Sequence, residues 1–410
     1  MYICIINANI HDINMAHIYL NRRIETAIRK ASSQFPSLIV TGPRQSGKTT
    51  LLVHLFGETH GYVSLDDPDI LMLANREPKL FLENYPPPVI IDEIQYAPGL
   101  FIYLKMAIDK NRSQKGQFLL TGSQSFPLMA SLSESLAGRI AVFTLLTFSI
   151  QEQIRNSQEL NFANLREIIL RGGYPELVVS KELDARLWFS SYLQTYLERD
   201  VRNLRQIGDL LDFQRFLELL ASINGRILNL SELSRDLGVA VNTIKAWISV
   251  LEASHQLILI KPYYKNKGKR IIKSPKIYFL DTGFLCYLSG ITHKEQVLKG
   301  PLGGSLFETI VVGQIIRHFY NNGEVPRIYW WRTSTGSEVD FIVEKESKII
   351  PIEVKMTSNV RKELARGLYQ FIDLFKDEVE QGYLVTISGD SLKLHEKIKA
   401  QPFNEFIDHF

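Results

Sequence analysis

Cysteine is almost missing from this chain: 410 residues contain two, Cys4 and Cys286. Two cysteines cannot make the disulfide framework of a small secreted fold, and their isolation points to a reducing, cytoplasmic setting. No apolar run approaches the roughly 18 residues of a membrane-spanning helix, so no membrane partner is expected. The opening Met1-Tyr2-Ile3-Cys4-Ile5-Ile6 is apolar but has neither a basic flank nor a cleavage site, which argues against a secretory signal. Residues 1–16 read as a loose extension, with Met15 as an alternative start. Charge of one sign is lacking too. Lys and Arg total 47 against 44 Asp and Glu, and a net +3 is too small to argue nucleic-acid binding from the whole chain. There is no internal repeat and no low-complexity tract. A hydrophobic fraction of 45% with 22% charged residues is that of a soluble globular protein. The length exceeds what one core usually organises, so several domains are expected.

The most informative stretch is Leu38-Ile39-Val40-Thr41 followed by Gly42-Pro43-Arg44-Gln45-Ser46-Gly47-Lys48-Thr49-Thr50. An apolar strand running into G-x-x-x-x-G-K-T and then an apolar helix, Leu51 to Phe56, predicts a phosphate-binding loop. Gly42 and Gly47 permit the backbone turns that point successive N–H groups inward at a helix N-terminus. Lys48 is placed for the β- and γ-phosphates and Thr49 for Mg²⁺, so the expected ligands are ATP and Mg²⁺. A second buried strand, Val89-Ile90-Ile91, follows three prolines and ends in Asp92-Glu93. Carboxylates at that end of a parallel strand face the ligand crevice. Asp92 is assigned to the Mg²⁺ shell and Glu93 to general-base activation of the attacking water.

A third strand, Gln117-Phe118-Leu119-Leu120-Thr121, ends in Gly122-Ser123-Gln124. Either Ser123 or Gln124 suits a reader of the γ-phosphate. Beyond it, Arg139 in Ser135-Leu136-Ala137-Gly138-Arg139 is a candidate charge stabiliser, acting in cis or from a neighbouring subunit of a homo-oligomer; the plain alternative is a surface arginine after a helix-capping glycine.

In this order, the phosphate loop, Asp92-Glu93, Leu120-Thr121-Gly122-Ser123, Leu136-Ala137-Gly138-Arg139 and Gly172-Gly173-Tyr174-Pro175-Glu176 resemble one group of proteins. These are the AAA-type ATPases of archaea and bacteria whose C-terminal half is a domain of unknown function. The resemblance runs from about Ile18 to the C-terminus. It implies a RecA/AAA-like parallel-sheet core followed by a winged helix and a domain similar to restriction endonucleases.

The residues after the core agree. Residues 151–205 alternate charged and apolar positions at helical spacing, interrupted by the turn Arg171-Gly172-Gly173-Tyr174-Pro175. In 206–280, Leu230 to Leu237 forms an amphipathic helix with Asn229 as its N-cap. Gly238-Val239 turns the chain, and Ala240 to Leu251 makes a second helix. That is a helix-turn-helix, with Asn242, Thr243 and Lys245 at the end that meets base edges. Between Lys261 and Lys276 stand seven basic residues and no acid, among them Lys265, Lys267, Lys269 and Arg270, with Tyr263 and Tyr264 interleaved. A basic hairpin beside a helix-turn-helix is a phosphate-contacting surface, so DNA is the expected partner; a protein partner is the alternative for such a module.

The last stretch, 281–410, holds a second constellation. Asp340 lies in Ser337-Glu338-Val339-Asp340-Phe341, and Glu353 and Lys355 alternate on the next strand, Ile352-Glu353-Val354-Lys355. Glu308 comes from an upstream helix, and Gln370 from a following one. Acids and a lysine on paired strands suit metal-dependent phosphodiester cleavage. The pattern resembles the PD-(D/E)XK nuclease core, with Val339 where that core often has proline. The expected architecture is therefore α/β and multidomain: extension 1–16, P-loop domain 17–150, helical region 151–205, winged helix 206–280 and nuclease-like domain 281–410. The expected function is ATP hydrolysis coupled to DNA. The alternative is an ATP-gated switch acting through protein partners, with a nuclease-like domain that does not cut.

Overall fold

The computed structural model describes residues 19–123, 134–154, 160–196, 210–264, 274–345 and 348–410. Its first layer is a parallel sheet of β1 (Ser37–Thr41), β2 (Gly61–Ser64), β3 (Val89–Asp92), β4 (Phe118–Thr121) and β5 (Ile140–Thr144), in the spatial order β2-β3-β4-β1-β5. The central strands are apolar throughout because both faces are covered. Ile39, Ile91 and Leu120 point to one face, packing with Phe101, Leu104 and Ile108 of the helix Leu100–Lys110. Leu38, Val40, Ile90 and Leu119 point to the other, against Ile28 of the helix Glu25–Ser32 and Leu52 of the helix Lys48–Phe56. The three strands expected from the apolar runs are β1, β3 and β4, and the phosphate loop leaves the C-terminal end of β1, which lies between β4 and β5.

The second sheet is mixed. Its strands are β6 (Leu257–Pro262), β7 (Lys276–Phe279), β8 (Ile328–Arg332), β9 (Glu338–Lys345), β10 (Lys348–Lys355), β11 (Gly382–Thr386), β12 (Leu392–His395) and β13 (Ile398–Pro402). They lie in the order β12-β13-β11-β10-β9-β8-β6-β7. The β8–β9 and β9–β10 pairs are antiparallel, and β10–β11 is parallel through the crossover helix Arg366–Leu374. The long helix Gly303–Asn321 precedes β8 and is buried along most of its length.

Three helices, Leu210–Ser222, Leu230–Leu237 and Val241–Ala253, precede β6. The Asn229 side chain accepts the amide of Glu232, and Gly238 ends the second helix with φ 69°, as the sequence predicts. The expected boundary at 280 does not divide the packing. Lys261 and Pro262 of β6 pair with Tyr329 and Trp330 of β8. One apolar core runs from Leu146 and Ile150 through Phe216, Trp247 and Phe284 to Phe410. Sequence composition shows where secondary structure changes, but not that two neighbouring units share a sheet.

Candidate functional site: a phosphate loop and a buried acid cluster

The phosphate loop is shaped by close approach. Gly42 has φ 141°, and a Cβ there would sit 2.2 Å from the carbonyl oxygen of Leu145. Gln45 and Gly47 also take left-handed backbone conformations, φ 58° and 89°. Lys48 is buried at the start of its helix, and its ammonium donates to the carbonyls of Gly42 (3.3 Å) and Pro43 (2.9 Å), curling over the loop. Ser46 is buried, and its hydroxyl has no partner among the described residues. Arg44 is half-buried, and Thr50 is exposed.

The Asp92 carboxylate collects three hydroxyls. Thr49 Oγ1 donates to Oδ1 at 2.7 Å, Thr121 Oγ1 donates to the same oxygen, and Tyr62 donates to Oδ2 at 3.2 Å. Burial first, then the Asp92 charge, pushes the Tyr62 phenol up. Glu93 stands at φ 57°, its amide donating to Thr121 Oγ1 at 3.2 Å. The Gln95 amide nitrogen donates both to Glu93 Oε2 and to Ser123 Oγ, the latter at 3.2 Å. Ser123 thus joins the site, whereas Gln124 lies outside the described residues.

Arg139 is placed elsewhere. Its guanidinium makes two bonds to Asp109, 2.8 and 3.0 Å, and its carbonyl accepts from Ser37 at the opening of β1. That is the opposite end of the sheet from the phosphate loop, so a cis role on the transferring phosphoryl group is ruled out. A five-residue strand separates the two, roughly 3.3 Å per residue.

Several partners of the loop carry no local sequence signal. Arg22 is buried. It pairs with Glu152 at 3.2 Å, donates to the carbonyls of Ser46 (3.1 Å) and Leu146 (2.6 Å), and lies over the Phe148 ring. Glu152 belongs to the capping box of Ser149. Gln314 and Arg317 of the long C-terminal helix bind the same segment, through the amide of Ile150 and through Thr147. The Gly172-Gly173-Tyr174-Pro175 turn packs here as well. Phe148 donates to the Gly173 carbonyl at 2.7 Å, and Pro175 lies 3.7 Å from where a Gly47 Cβ would be. On the turn before β6, burial first and then the Lys48 charge push the His255 imidazole down to about 4.

The acids of the C-terminal sheet are brought together across β9 and β10. Ile352 pairs with Phe341, so Asp340 and Glu353 follow as the next cross-strand positions. Asp340 Oδ2 accepts the amide of Val354 at 2.8 Å. Lys355 Nζ lies 2.5 Å from Glu353 and 3.9 Å from Asp340, so the lysine sits between the two acids. Glu353 Oε2 is buried without a partner among the described residues. Glu308 accepts from Tyr278 of β7 at 2.8 Å. Burial first, then Asp340, pushes Glu308 up to about 7 and Glu353 up to about 8. Among the described residues, no three His, Cys, Asp or Glu side chains converge closely enough to hold a metal ion.

On the helix-turn-helix, Asn242 and Lys245 are exposed and Thr243 is half-buried. Lys265, Lys267, Lys269 and Arg270 lie outside the described residues. Two members of the expected basic surface are buried instead. Lys276 pairs with Glu338, and Tyr263 packs on Phe371 and Phe375. Lys276 opens β7 and Tyr263 directly follows β6, two strands that join the C-terminal sheet, which is why both turn inward.

Residues 34–154 match the AAA domain family, 162–295 a domain of unknown function (DUF8612), and 303–406 a second one (DUF4143). Uncharacterized proteins of Mycobacterium bovis and Mycobacterium tuberculosis are each 32% identical over 335 residues, covering 81% of this chain and 73% of theirs. The chain belongs to the AAA-type P-loop ATPases that carry a C-terminal DUF4143 domain. Solved structures similar to this ATPase are more distant. The Walker-type ATPase of Pyrococcus abyssi is 13% identical, with a TM-score of 0.43, covering 66% of this chain and 96% of its own. A RuvB of Thermotoga maritima is 17% identical, with a TM-score of 0.29, covering 61% of this chain and 91% of its own. Among the described residues, no helix is long and apolar enough to cross a membrane.

Proposed function

We infer that this AAA-type ATPase hydrolyses ATP with Mg²⁺ and couples turnover to DNA engaged by its C-terminal half. The observation that carries the reading is the pair Asp92-Glu93 at the end of β3, with Asp92 2.7 Å from the Thr49 hydroxyl. A hydroxyl and a carboxylate side by side beneath a phosphate loop are the hard oxygen donors that Mg²⁺ takes. Thr49 and Asp92 would hold the ion, which neutralises charge on the β- and γ-phosphates when bound. Lys48 and the loop amides bind the phosphates. Glu93 accepts the proton of the attacking water as its oxygen bonds to the γ-phosphorus and the bond to the bridging oxygen breaks, giving ADP and phosphate.

The three helices before β6 and the β6–β7 pair fit a winged helix. Exposed Asn242 and Lys245 support DNA contact, together with the basic run 265–270. The β8–β11 arrangement with Asp340, Glu353 and Lys355 fits a PD-(D/E)XK-like core. A specific observation favours the second reading for its chemistry: Lys355 occupies the space between Glu353 and Asp340. In that reading the domain does not cut, and the protein is an ATP-gated switch for a protein partner.

The deciding experiment is ATP turnover with and without duplex, single-stranded and branched DNA, with Glu93→Gln as control. Acceleration by DNA and an inactive variant support the coupled ATPase. Turnover that is indifferent to every DNA form supports the switch.

A further inference from the structure

We propose that Gln95 is a positioning residue for hydrolysis, holding the Glu93 carboxylate in register with Ser123. The proposal rests on the reading of Glu93 as the base. Its ground is the turn that follows β3. Glu93 takes a left-handed backbone, φ 57°, and the short helix Ile94–Tyr96 turns directly after it. A non-glycine residue in that region is strained, and surrounding contacts must hold it. Here the Glu93 amide is held by Thr121 Oγ1 at 3.2 Å. The turn brings Gln95 back against the residue two positions earlier.

The amide is oriented by its partners. A carboxylate can only accept, so the nitrogen of Gln95 must face Glu93. The same nitrogen reaches Ser123 Oγ at 3.2 Å. That leaves Gln95 Oε1 buried with no partner among the described residues. An unpaired buried acceptor is destabilising, so stability alone would favour an apolar side chain here. The arrangement instead serves geometry. The end of β4 fixes both halves of the base: Thr121 holds the Glu93 backbone, and Ser123 holds its carboxylate through Gln95. Misplacing a reacting group by about 1 Å can cost on the order of 100-fold in rate, and a glutamate with free torsions would be misplaced often.

The test is steady-state ATP hydrolysis with fluorescent-nucleotide binding for Gln95→Ala, Gln95→Met, Glu93→Gln and the double variant Gln95→Ala/Glu93→Gln. Both Gln95 variants should lose about 10- to 100-fold in kcat while nucleotide affinity stays within about twofold. The double variant should be no slower than Glu93→Gln alone, because Gln95 acts only through Glu93. Gln95→Met fills the same volume, so a merely structural role predicts that it keeps full activity. Wild-type kcat in both Gln95 variants, with Glu93→Gln inactive, would overturn the proposal and leave the base intact. An active Glu93→Gln would overturn the reading on which it rests. Equal losses in affinity and rate would overturn the positioning role.

Discussion

Replacing Arg22 with methionine tests how the phosphate loop is braced. The guanidinium is 5% exposed and Glu152 is 4% exposed, with 3.2 Å between them. Breaking a buried pair by removing one partner costs about 3–5 kcal/mol, mostly because the remaining charge is stranded. Glu152 would keep the amides of Arg23 (2.8 Å) and Ser149 (2.7 Å), which favours the lower end of that range. The carbonyls of Ser46 and Leu146 lose their donors at the same time, which adds to the cost. The expected total is about 4 kcal/mol, or a fall of roughly 10 °C in melting temperature for a unit of this size. Scanning calorimetry of the first transition is the assay, since a chain with several units need not unfold in one step. Glu152→Gln in the Arg22→Met background should recover about 2 kcal/mol relative to the sum of the single variants.

The same pair carries a pH signature. Burial alone would raise the Glu152 carboxyl, but the Arg22 charge and hydrogen bonds from Ser149 and Arg23 more than reverse it, leaving the folded value low. A carboxyl depressed in the folded state contributes stability above its unfolded value, about 4.3, and loses it as pH falls through the folded value. The melting difference between wild type and Arg22→Met should therefore be full near neutrality and shrink below about pH 4. Strict additivity of the two substitutions, together with a pH-independent difference, would refute the buried-pair account.

Two further outcomes follow from the packing and the acids. In Gly173→Ala the new Cβ would lie 2.4 Å from the Phe148 carbonyl oxygen and 3.1 Å from its amide nitrogen, backbone atoms with little room to yield. A cost of about 2–3 kcal/mol is expected, read as a melting shift; an unshifted transition would show that the turn is not packed on the core as described. In Asp340→Ala, ¹³C-detected titration of Glu308 and Glu353 should find both midpoints below about 7 and about 8, because Asp340 is the second cause of each rise after burial. Since both acids are raised on folding, their contribution weakens the fold as pH rises from about 4 through those values, and the variant should be less sensitive in that window. Unmoved midpoints would sink the cluster. A parallel cleavage assay with Mn²⁺ on several DNA forms should separate wild type from Asp340→Ala if the site cuts, and equal traces would reject cleavage there.

What was legible in the sequence is what short-range pattern encodes. The apolar run into Gly42–Thr49 fixes strand, loop and helix in one stretch, because each step is dictated by neighbours in sequence. Asp92 and Glu93 were readable for the same reason, as was the Asn229 cap and the Gly238 turn. For Arg139 the sequence leaves a phosphoryl-site role and a surface role side by side. Its partner Asp109 lies thirty positions away, and no periodicity carries that pairing.

The braces of the site were illegible for a related reason. Arg22, just before the first helix, and Glu152, Gln314 and Arg317 on helices are ordinary polar residues, for which the usual expectation is a solvated face. They are buried where they satisfy backbone groups of Ser46, Leu146, Thr147, Ser149 and Ile150. Lys276 shows the same effect. Within a basic run it reads as part of a phosphate-contacting surface, yet β7 lies in the same sheet as β9, where Lys276 pairs with Glu338 and Tyr278 donates to Glu308. The β6–β7 pair thus supplies a donor to the acid cluster, and the helix bearing Glu308 also bears the residues gripping the segment beside the phosphate loop. A single buried helix in contact with both constellations is the physical reason to expect the two halves of this ATPase to respond to each other.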